Sequence, residues 1–176
     1  NNIIDKIKER SSHNEVSTRS GGIAIFLTLL VISSYYYITG KEIYDFSLLI
    51  PLIILTVVGL YDDIQEVDFK LKFIFQIIVA KIIIDSGLIV ENLHGFLGLY
   101  EIGRIAAQIL TIFIIVALIN AINFIDGIDG LAISAVIFFI VAFEFFTYYE
   151  SPFYYLSQII LISLTPLFYF NYRKKN

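Results

Sequence analysis

The sequence predicts an all-α protein, a polytopic transmembrane helix bundle of about six spans, and three observations support this prediction. Hydrophobic residues make up 58% of the chain and charged residues only 16%, whereas an average soluble domain is roughly a quarter charged. The mean hydropathy is +0.82, and the apolar runs approach the roughly 20 residues that a helix needs to cross the hydrocarbon layer. The runs show no two-residue alternation, so helices are predicted rather than strands.

Polar and charged residues mark the limits of the first three apolar segments. The stretch 1–20 is polar and charged, so the chain does not open with an apolar signal segment. The second segment ends at the adjacent acids Asp62 and Asp63, and Lys70 and Lys72 open the third. The second segment is the shortest of the three and spans the bilayer only if it has little tilt.

The remaining segments are separated by one hairpin and two short polar stretches. The loop 91–103 alternates and turns on glycines, which predicts a short hairpin on the non-cytosolic side. The fourth segment begins at Arg104, the fifth follows Gly130, and the sixth follows Pro152. We treat residues 1–176 as one membrane domain. The predicted spans are 22–39, 45–61, 71–90, 104–122, 131–149 and 153–170.

Basic residues fall mainly on one side of this predicted bundle. With six spans, both chain ends share a side with the loops near 62–70 and 123–130. Lys41, Lys81 and Arg104 lie elsewhere, and the other nine of the 12 basic residues lie on that side. Lysine and arginine are enriched in cytosolic loops. The pattern predicts a multi-pass protein of the bacterial inner membrane whose ends and polar loops face the cytosol.

Three polar clusters on this predicted cytosolic side contain residues that could take part in catalysis. They are residues 10–22, residues 59–63 with Lys70 and Lys72, and residues 120–130. We call them the first, second and third motif. Adjacent carboxylates are tolerated beside a divalent cation, and Mg²⁺ prefers carboxylate oxygens together with phosphate and water. The acids therefore suggest a metal–phosphate centre, and the basic residues could hold substrate phosphates. The cysteine-free chain offers no thiolate ligand or cysteine nucleophile. The acids are Asp62, Asp63, Asp126 and Asp129, and the basic residues are Arg10, Arg19, Lys70 and Lys72.

Each of these residues also has a structural interpretation. Asp62 and Asp63 could be the solvated end of a span, and Asp126 or Asp129 could cap the following helix. Arginine and lysine near span ends are often topology determinants, and a lone loop histidine such as His13 is usually only solvated. Tyrosine and phenylalanine at span ends are typical of interfacial belts, so no nucleic-acid partner is expected.

Among the ionisable residues within the predicted spans, Lys81, Asp85 and Glu144 need an explanation. Lys81 and Asp85 are four residues apart and could pair on one helix face. Intramembrane ionisable residues, Glu144 included, are functional hypotheses by default. For Lys81 and Asp85 we favour a structural pair.

At the three polar clusters the sequence resembles the polyprenyl-phosphate N-acetylhexosamine-1-phosphate transferases. The resemblance extends from Arg10 to Asn171, and the third cluster is the most specific. The matching residues are Arg10, His13 and Arg19-Ser-Gly-Gly22, then Gly59-Leu-Tyr-Asp62-Asp63 and Lys72-Phe-Ile-Phe-Gln76, then Asn120-Ala-Ile-Asn123-Phe-Ile-Asp126-Gly-Ile-Asp129-Gly-Leu-Ala. The match extends the second motif from Lys72 to Gln76.

The resemblance implies a membrane enzyme with about ten helical spans and a cytosolic active site. Such enzymes use Mg²⁺ and a UDP-N-acetylhexosamine, transfer the sugar phosphate to undecaprenyl phosphate in the lipid bilayer and release UMP; a homodimer is a further expectation. The implied catalytic residues are Asp62, Asp63 and Asp126, and the implied metal ligands are Asp63 and Asp126. The implied substrate-binding residues are Arg10, His13, Arg19, Lys72, Asn120, Asn123 and Asp129.

The sequence departs from the family pattern at both ends. Val16 and Thr18 stand where the first loop usually has prolines. The family's later Gly-Asp-Ser/Thr-Gly segment, with its main metal-binding Asp, should follow shortly after Asn171, beyond residue 176. We therefore expect a fragment that matches the second to seventh family spans and is inactive alone. The short loops favour an N-acetylglucosamine-type donor.

Two other classes of function are compatible with an apolar chain. A cation-coupled transporter or channel subunit would use the acids as an ion path, although such acids usually lie near the midplane of spans. A non-catalytic membrane scaffold would not need three clustered polar motifs.

Overall fold

The computed structural model describes residues 21–40, 46–65, 67–126 and 130–173, and the described part of the chain is helical, without a strand. A 3₁₀ turn (Phe46–Leu48) precedes the second helix, and another (Phe96–Gly98) lies between the third and fourth. All six predicted apolar segments contain a helix, so the all-α prediction is confirmed. The helices are α1 Gly21–Ile38, α2 Leu49–Gln65, α3 Phe69–Asp85, α4 Arg104–Ile125, α5 Leu131–Phe146 and α6 Tyr154–Arg173.

Two of these helices, α1 and α4, are long and apolar enough to cross a bilayer. Their mean hydropathies are 1.7 and 2.5, and only 11% of each apolar window is buried. A core helix of a soluble protein would be mostly buried, whereas apolar surface facing lipid needs no protein cover. Helix α5 and residues Tyr154–Tyr169 are apolar but shorter. The total of six spans and their orientation stay predictions.

Three helix boundaries differ from the predicted ones for local reasons. Helix α2 continues to Gln65 and therefore contains both acids that were expected to follow it. Helix α3 ends at Asp85, because Gly87 adopts a left-handed conformation (φ 95°) that stops the helix. Helix α5 ends at Phe146, since two tyrosines that follow it, Tyr148 and Tyr149, have positive φ.

The described residues group into two compact units. One contains α2, α3 and most of α4 (Phe46–Ala121), and α2 packs against α3 in it. The other contains α1, the last residues of α4, α5 and α6, and α6 packs against both α1 and α5. The treatment of residues 1–176 as one domain stays a prediction.

The ionisable residues Lys81, Asp85 and Glu144, which lie on α3 and α5, have two different environments. Lys81 and Asp85 form the predicted ion pair on an exposed face of α3. Glu144 of α5 is only 1% exposed, and its Oε1 accepts a hydrogen bond of 2.5 Å from Ser157 Oγ of α6. Its Oε2 has no hydrogen-bond partner in the described part of the chain. A buried carboxyl needs such a donor to offset desolvation, so Glu144 links α5 to α6.

Candidate active site

The last turn of α2 presents the adjacent acids Asp62 and Asp63. Asp62 Oδ1 accepts a hydrogen bond of 2.9 Å from the backbone N–H of Val67, which lies in the turn before α3. The same oxygen lies 2.6 Å from Lys72 Nζ on the first turns of α3. Both side chains are about one-third exposed. Asp62 therefore holds the α2–α3 turn closed and places Lys72 beside the acids.

Asp63 has a different environment from its neighbour. Successive residues of an α-helix point about 100° apart, so with Asp62 directed to Lys72, Asp63 projects from another face of α2. Its side chain is exposed. The acid that follows in the turn, Asp68, has a structural task, because it caps the start of α3. The two motif acids thus differ in what they face, although they are adjacent in the sequence.

A second polar contact joins α3 to α4 one turn away from Lys72. Gln76 lies four residues after Lys72, on the same face of α3, and is 6% exposed. Asn120 Nδ2 donates hydrogen bonds to Gln76 Oε1 at 2.7 Å and to Val116 O at 2.8 Å. The structure therefore brings together a residue of the second motif and the first residue of the third motif.

The remaining described residues of the third motif belong to the other compact unit. Asn123 lies on the last turn of α4 and is exposed. Asp126 is exposed, and its N–H donates to Ile122 O at 3.0 Å as α4 ends. The N-cap position of α5 is occupied by Gly130 in a left-handed conformation (φ 72°). The alternative in which Asp126 caps α5 is therefore wrong.

Four predicted site residues lie outside the described residues. These are Arg10, His13, Arg19 and Asp129. The described part of the first motif begins at Gly21. This glycine is the first residue of α1 and packs against Leu167 of α6. A Cβ atom at Gly21 would come within 3.3 Å of the Leu167 side chain, so this glycine permits a close helix contact.

The oxygen ligands that the described residues offer are compatible with Mg²⁺ binding. No three Asp, Glu, His or Cys side chains cluster in the parts of the chain that the structure describes. Mg²⁺ does not require such a cluster, since it usually binds through one or two carboxylates together with water and substrate phosphates. The exposed carboxylate of Asp63 fits this requirement. Asp62 is engaged by a cation and an amide.

Sequence reasoning gave no role to Gln76, although it was part of the second motif. The sequence did contain one indication of such a role, because Gln76 is the single amide side chain in an apolar helix and lies one turn after Lys72. Burial of such a group is costly without a partner, which predicts a hydrogen bond across helices. The identity of the partner, Asn120, depends on how α3 and α4 pack.

Two helices that are apolar enough to span a bilayer, and adjacent acids of which Asp62 pairs with Lys72, are compatible with a helical membrane protein that has a polar site. The chain belongs to glycosyl transferase family 4, whose model matches residues 45–175. This match includes the second and third motifs. It confirms the resemblance noted from the sequence and does not favour the transporter or channel alternative.

A curated relative agrees with this assignment. The chain is 30% identical over 87 residues to the probable undecaprenyl-phosphate N-acetylglucosaminyl 1-phosphate transferase of Bacillus subtilis (strain 168). The matched region covers 48% of this chain and 24% of the length of that relative. No solved structure matches the chain. Membership in the family makes the chain a glycosyltransferase-type sequence of a membrane enzyme.

The Gln76–Asn120 contact yields a prediction that distinguishes an effect on the reaction rate from an effect on the stability of the fold. Replacing Gln76 with leucine in the full-length gene product should cost about 1 kcal/mol of stability, since Asn120 keeps its bond to Val116 O. The rate of the enzymatic reaction should fall roughly tenfold, because a misplaced positioning group costs more in the transition state than in the fold. Thermal unfolding and steady-state kinetics measure the two effects.

Two further variants serve as controls for this prediction. Gln76→Glu keeps an oxygen acceptor for Asn120 Nδ2 and should retain most of the activity. Gln108→Leu changes a half-buried glutamine on α4 and should leave kcat unchanged. Equal losses of activity in Gln76→Leu and Gln108→Leu would contradict a specific role for the contact.

Proposed function

We propose that this chain is part of a Mg²⁺-dependent phosphoglycosyl transferase of the bacterial inner membrane. The enzyme transfers N-acetylhexosamine-1-phosphate from a UDP-sugar to undecaprenyl phosphate and so initiates a cell-envelope polysaccharide. The observation that carries the proposal is the Asp62–Lys72 ion pair beside exposed Asp63, in a chain that belongs to glycosyl transferase family 4. The name of the Bacillus subtilis relative supports undecaprenyl phosphate as acceptor and N-acetylglucosamine as the sugar.

The proposed reaction exchanges one phosphoanhydride bond for another. An oxygen of undecaprenyl phosphate attacks the β-phosphorus of the UDP-sugar. The bond from the β-phosphorus to the bridging oxygen breaks, and UMP leaves with that oxygen and its electron pair. Little bond energy changes, so positioning and neutralisation of phosphate charge are the main catalytic tasks. Bound Mg²⁺ would contribute part of that neutralisation.

The contacts suggest a division of labour between the two acids that the sequence left open. Asp62 is held by Lys72 Nζ and by the Val67 amide, so we assign it a positioning role. Asp63 is exposed on another face, and we assign it contact with the lipid phosphate or Mg²⁺. A proton on the lipid phosphate would transfer to an Asp63 carboxylate oxygen.

Lys72 is the cation best placed to bind a substrate phosphate. Its ammonium is one-third exposed, so it can donate to a phosphate oxygen while one donor remains on Asp62. The Gln76–Asn120 contact holds the neighbouring turn of α3 against α4.

The remaining predicted residues complete the proposed site. We propose that Asn123, Asp126 and Asp129 bind the nucleotide side, with Asp126 as a second metal ligand. Arg10, His13 and Arg19 would bind phosphates.

A direct assay tests the proposed function. The full-length gene product, in detergent or in vesicles, is incubated with UDP-N-acetylglucosamine, undecaprenyl phosphate and Mg²⁺, and UMP release is measured. We expect release that requires all three components and stops with EDTA. Release of UDP instead of UMP would contradict phosphoglycosyl transfer. Absence of release with any UDP-N-acetylhexosamine would reject the function.

The same assay tests whether the 176-residue chain is active by itself. The matched region covers only 24% of the Bacillus subtilis relative, so we propose that activity needs parts of the protein beyond residues 1–176. The 176-residue chain should release no UMP under conditions in which the full-length protein does.

A further inference from the structure

A hairpin between α3 and α4 has no role in the proposed reaction. Leu93 N donates to Tyr100 O at 2.8 Å, and Ile102 N donates to Glu91 O at 3.0 Å. These bonds confirm the hairpin predicted from the sequence. The first arm is fixed to the following helix, because Val90 N donates to Thr111 Oγ1 at 3.0 Å. The hairpin is therefore an ordered part of its unit.

The end of the hairpin displays apolar side chains outwards. We call residues 96–100 the tip. Phe96 is 67% exposed, Leu97 83% and Tyr100 66%, and Leu99 is also exposed. Leu97 adopts a left-handed conformation (φ 54°), which is uncommon and unfavourable for a residue with a branched side chain. The backbone therefore holds a large apolar side chain away from the protein at some conformational cost.

The tip lies close to the start of a candidate spanning helix. Arg104 begins α4 only four residues after Tyr100. Thr111, which binds the first arm, lies seven residues into α4, about 10 Å along its axis. The arm therefore runs beside the first two turns of α4. At about 3.3 Å per residue, Tyr100 at the end of the tip cannot lie more than about 13 Å from the start of that helix, and Phe96 not more than about 26 Å.

Two requirements restrict where such a tip can lie. The two arms are joined by only a few backbone hydrogen bonds around an isolated bridge between Asn92 and Glu101, and backbone groups without such a bond cannot enter the hydrocarbon without a large desolvation cost. The exposed side chains of the tip, in contrast, are disfavoured in bulk water. The interfacial zone of a bilayer satisfies both requirements, since it is hydrated and also accepts aromatic and aliphatic side chains.

The exposed side chain of Arg104 is compatible with the same location. A cation in the first turn of a helix opposes the helix macrodipole, and α4 has no acidic residue there to offset it. An anionic lipid phosphate would provide that compensation, because long basic side chains extend towards the headgroups.

We propose that the hairpin tip is a membrane-contact element that inserts Phe96, Leu97, Leu99 and Tyr100 into the interfacial zone of the bilayer. Its partner is the headgroup and upper acyl region of phospholipids. The contact fixes how deeply α4 lies in the bilayer. Through the Val90–Thr111 hydrogen bond it also fixes the depth of the first hairpin arm, which follows α3. This proposal does not depend on the proposed enzymatic function.

The absence of tryptophan from the sequence permits a direct test. Leu97→Trp places the one tryptophan of residues 1–176 at the tip, where it is excited selectively over the 12 tyrosines, and Phe113→Trp places one on the exposed face of α4 as a reference for the hydrocarbon; any tryptophan outside residues 1–176 is first replaced by phenylalanine. Each variant is reconstituted in phosphatidylcholine brominated either near the headgroup or near the chain end. We expect the fluorescence of the Leu97→Trp variant to be quenched roughly twofold more by the headgroup-proximal bromine, and that of the reference by the chain-end bromine.

Every other quenching pattern overturns the proposal. Quenching by aqueous iodide without quenching by brominated lipid would place the tip in water. Stronger quenching by the chain-end bromine would place it in the hydrocarbon. Protection from both iodide and bromine would show that a second copy or another protein segment covers it. Tyr100→Trp replaces one exposed aromatic residue with another and provides the same readout if Leu97→Trp does not fold.

Discussion

Replacing Asp63 with asparagine in the full-length gene product is expected to lower UMP release about 10³-fold with little change in stability. The substitution keeps the size of the side chain but removes the charge that we assign to the lipid phosphate or Mg²⁺. Loss of one preorganised electrostatic contact typically costs about 10²–10³ in rate. Asp63 is exposed near the end of α2, so the folded state should tolerate the change. UMP release and thermal unfolding are measured on the same preparation.

Asp68→Asn is the matched control for Asp63→Asn. Asp68 lies five residues further along, is exposed, and caps α3. Asparagine caps a helix about as well as aspartate, so this variant should keep both its stability and its activity. If Asp63→Asn retained activity within threefold of wild type, Asp63 would be only the solvated end of a helix, and the assignment of the acids would be rejected.

Exchanging the two partners of the Asp62–Lys72 ion pair is expected to leave the protein folded but inactive. The pair is one-third exposed on both sides, and ion pairs of this kind contribute about 0–1 kcal/mol to stability. Lys72→Met should therefore unfold at nearly the wild-type temperature. It should nevertheless lose about 10²-fold in kcat/KM, because loss of one preorganised charged contact with the transition state typically costs about 10²–10³ in rate. The double variant D62K/K72D should be about 1 kcal/mol less stable than the wild type, because a lysine at position 62 cannot accept the hydrogen bond from the Val67 N–H, and it should remain as inactive as Lys72→Met.

Lys81→Met provides the comparison for a purely structural lysine. Lys81 pairs with Asp85 on an exposed face of the same helix, and a pair of this kind contributes about 0.5 kcal/mol or less. We expect full activity from this variant. Recovery of activity in D62K/K72D to within tenfold of wild type would show that the pair only closes the α2–α3 turn.

The site illustrates which parts of a mechanism can be read from a motif. The types and order of residues in the second and third motifs predicted membership in a transferase family, and the match to glycosyl transferase family 4 confirmed that resemblance. The sequence could not assign different tasks to Asp62 and Asp63, because adjacent identical residues carry the same local signal. The tasks that we propose for them differ because only Asp62 is known to face Lys72, and this direction depends on the packing of α2 against α3.

The helices themselves were determined by the sequence. An apolar segment surrounded by lipid must satisfy its backbone groups internally, so composition and length are enough to predict a helix. Local signals also stop helices, as Gly87 does after α3. The hairpin was equally local, since glycines and alternation specify a turn.

Only the tertiary structure decided which polar groups meet across helices. Gln76 meets Asn120 over a sequence separation of 44 residues, and Glu144 meets Ser157 across α5 and α6. In apolar segments nearly every face is hydrophobic, so the sequence pattern does not indicate which face is covered by a neighbouring helix. Packing makes that choice, and the cost of burying a polar group without a partner then fixes the pairs.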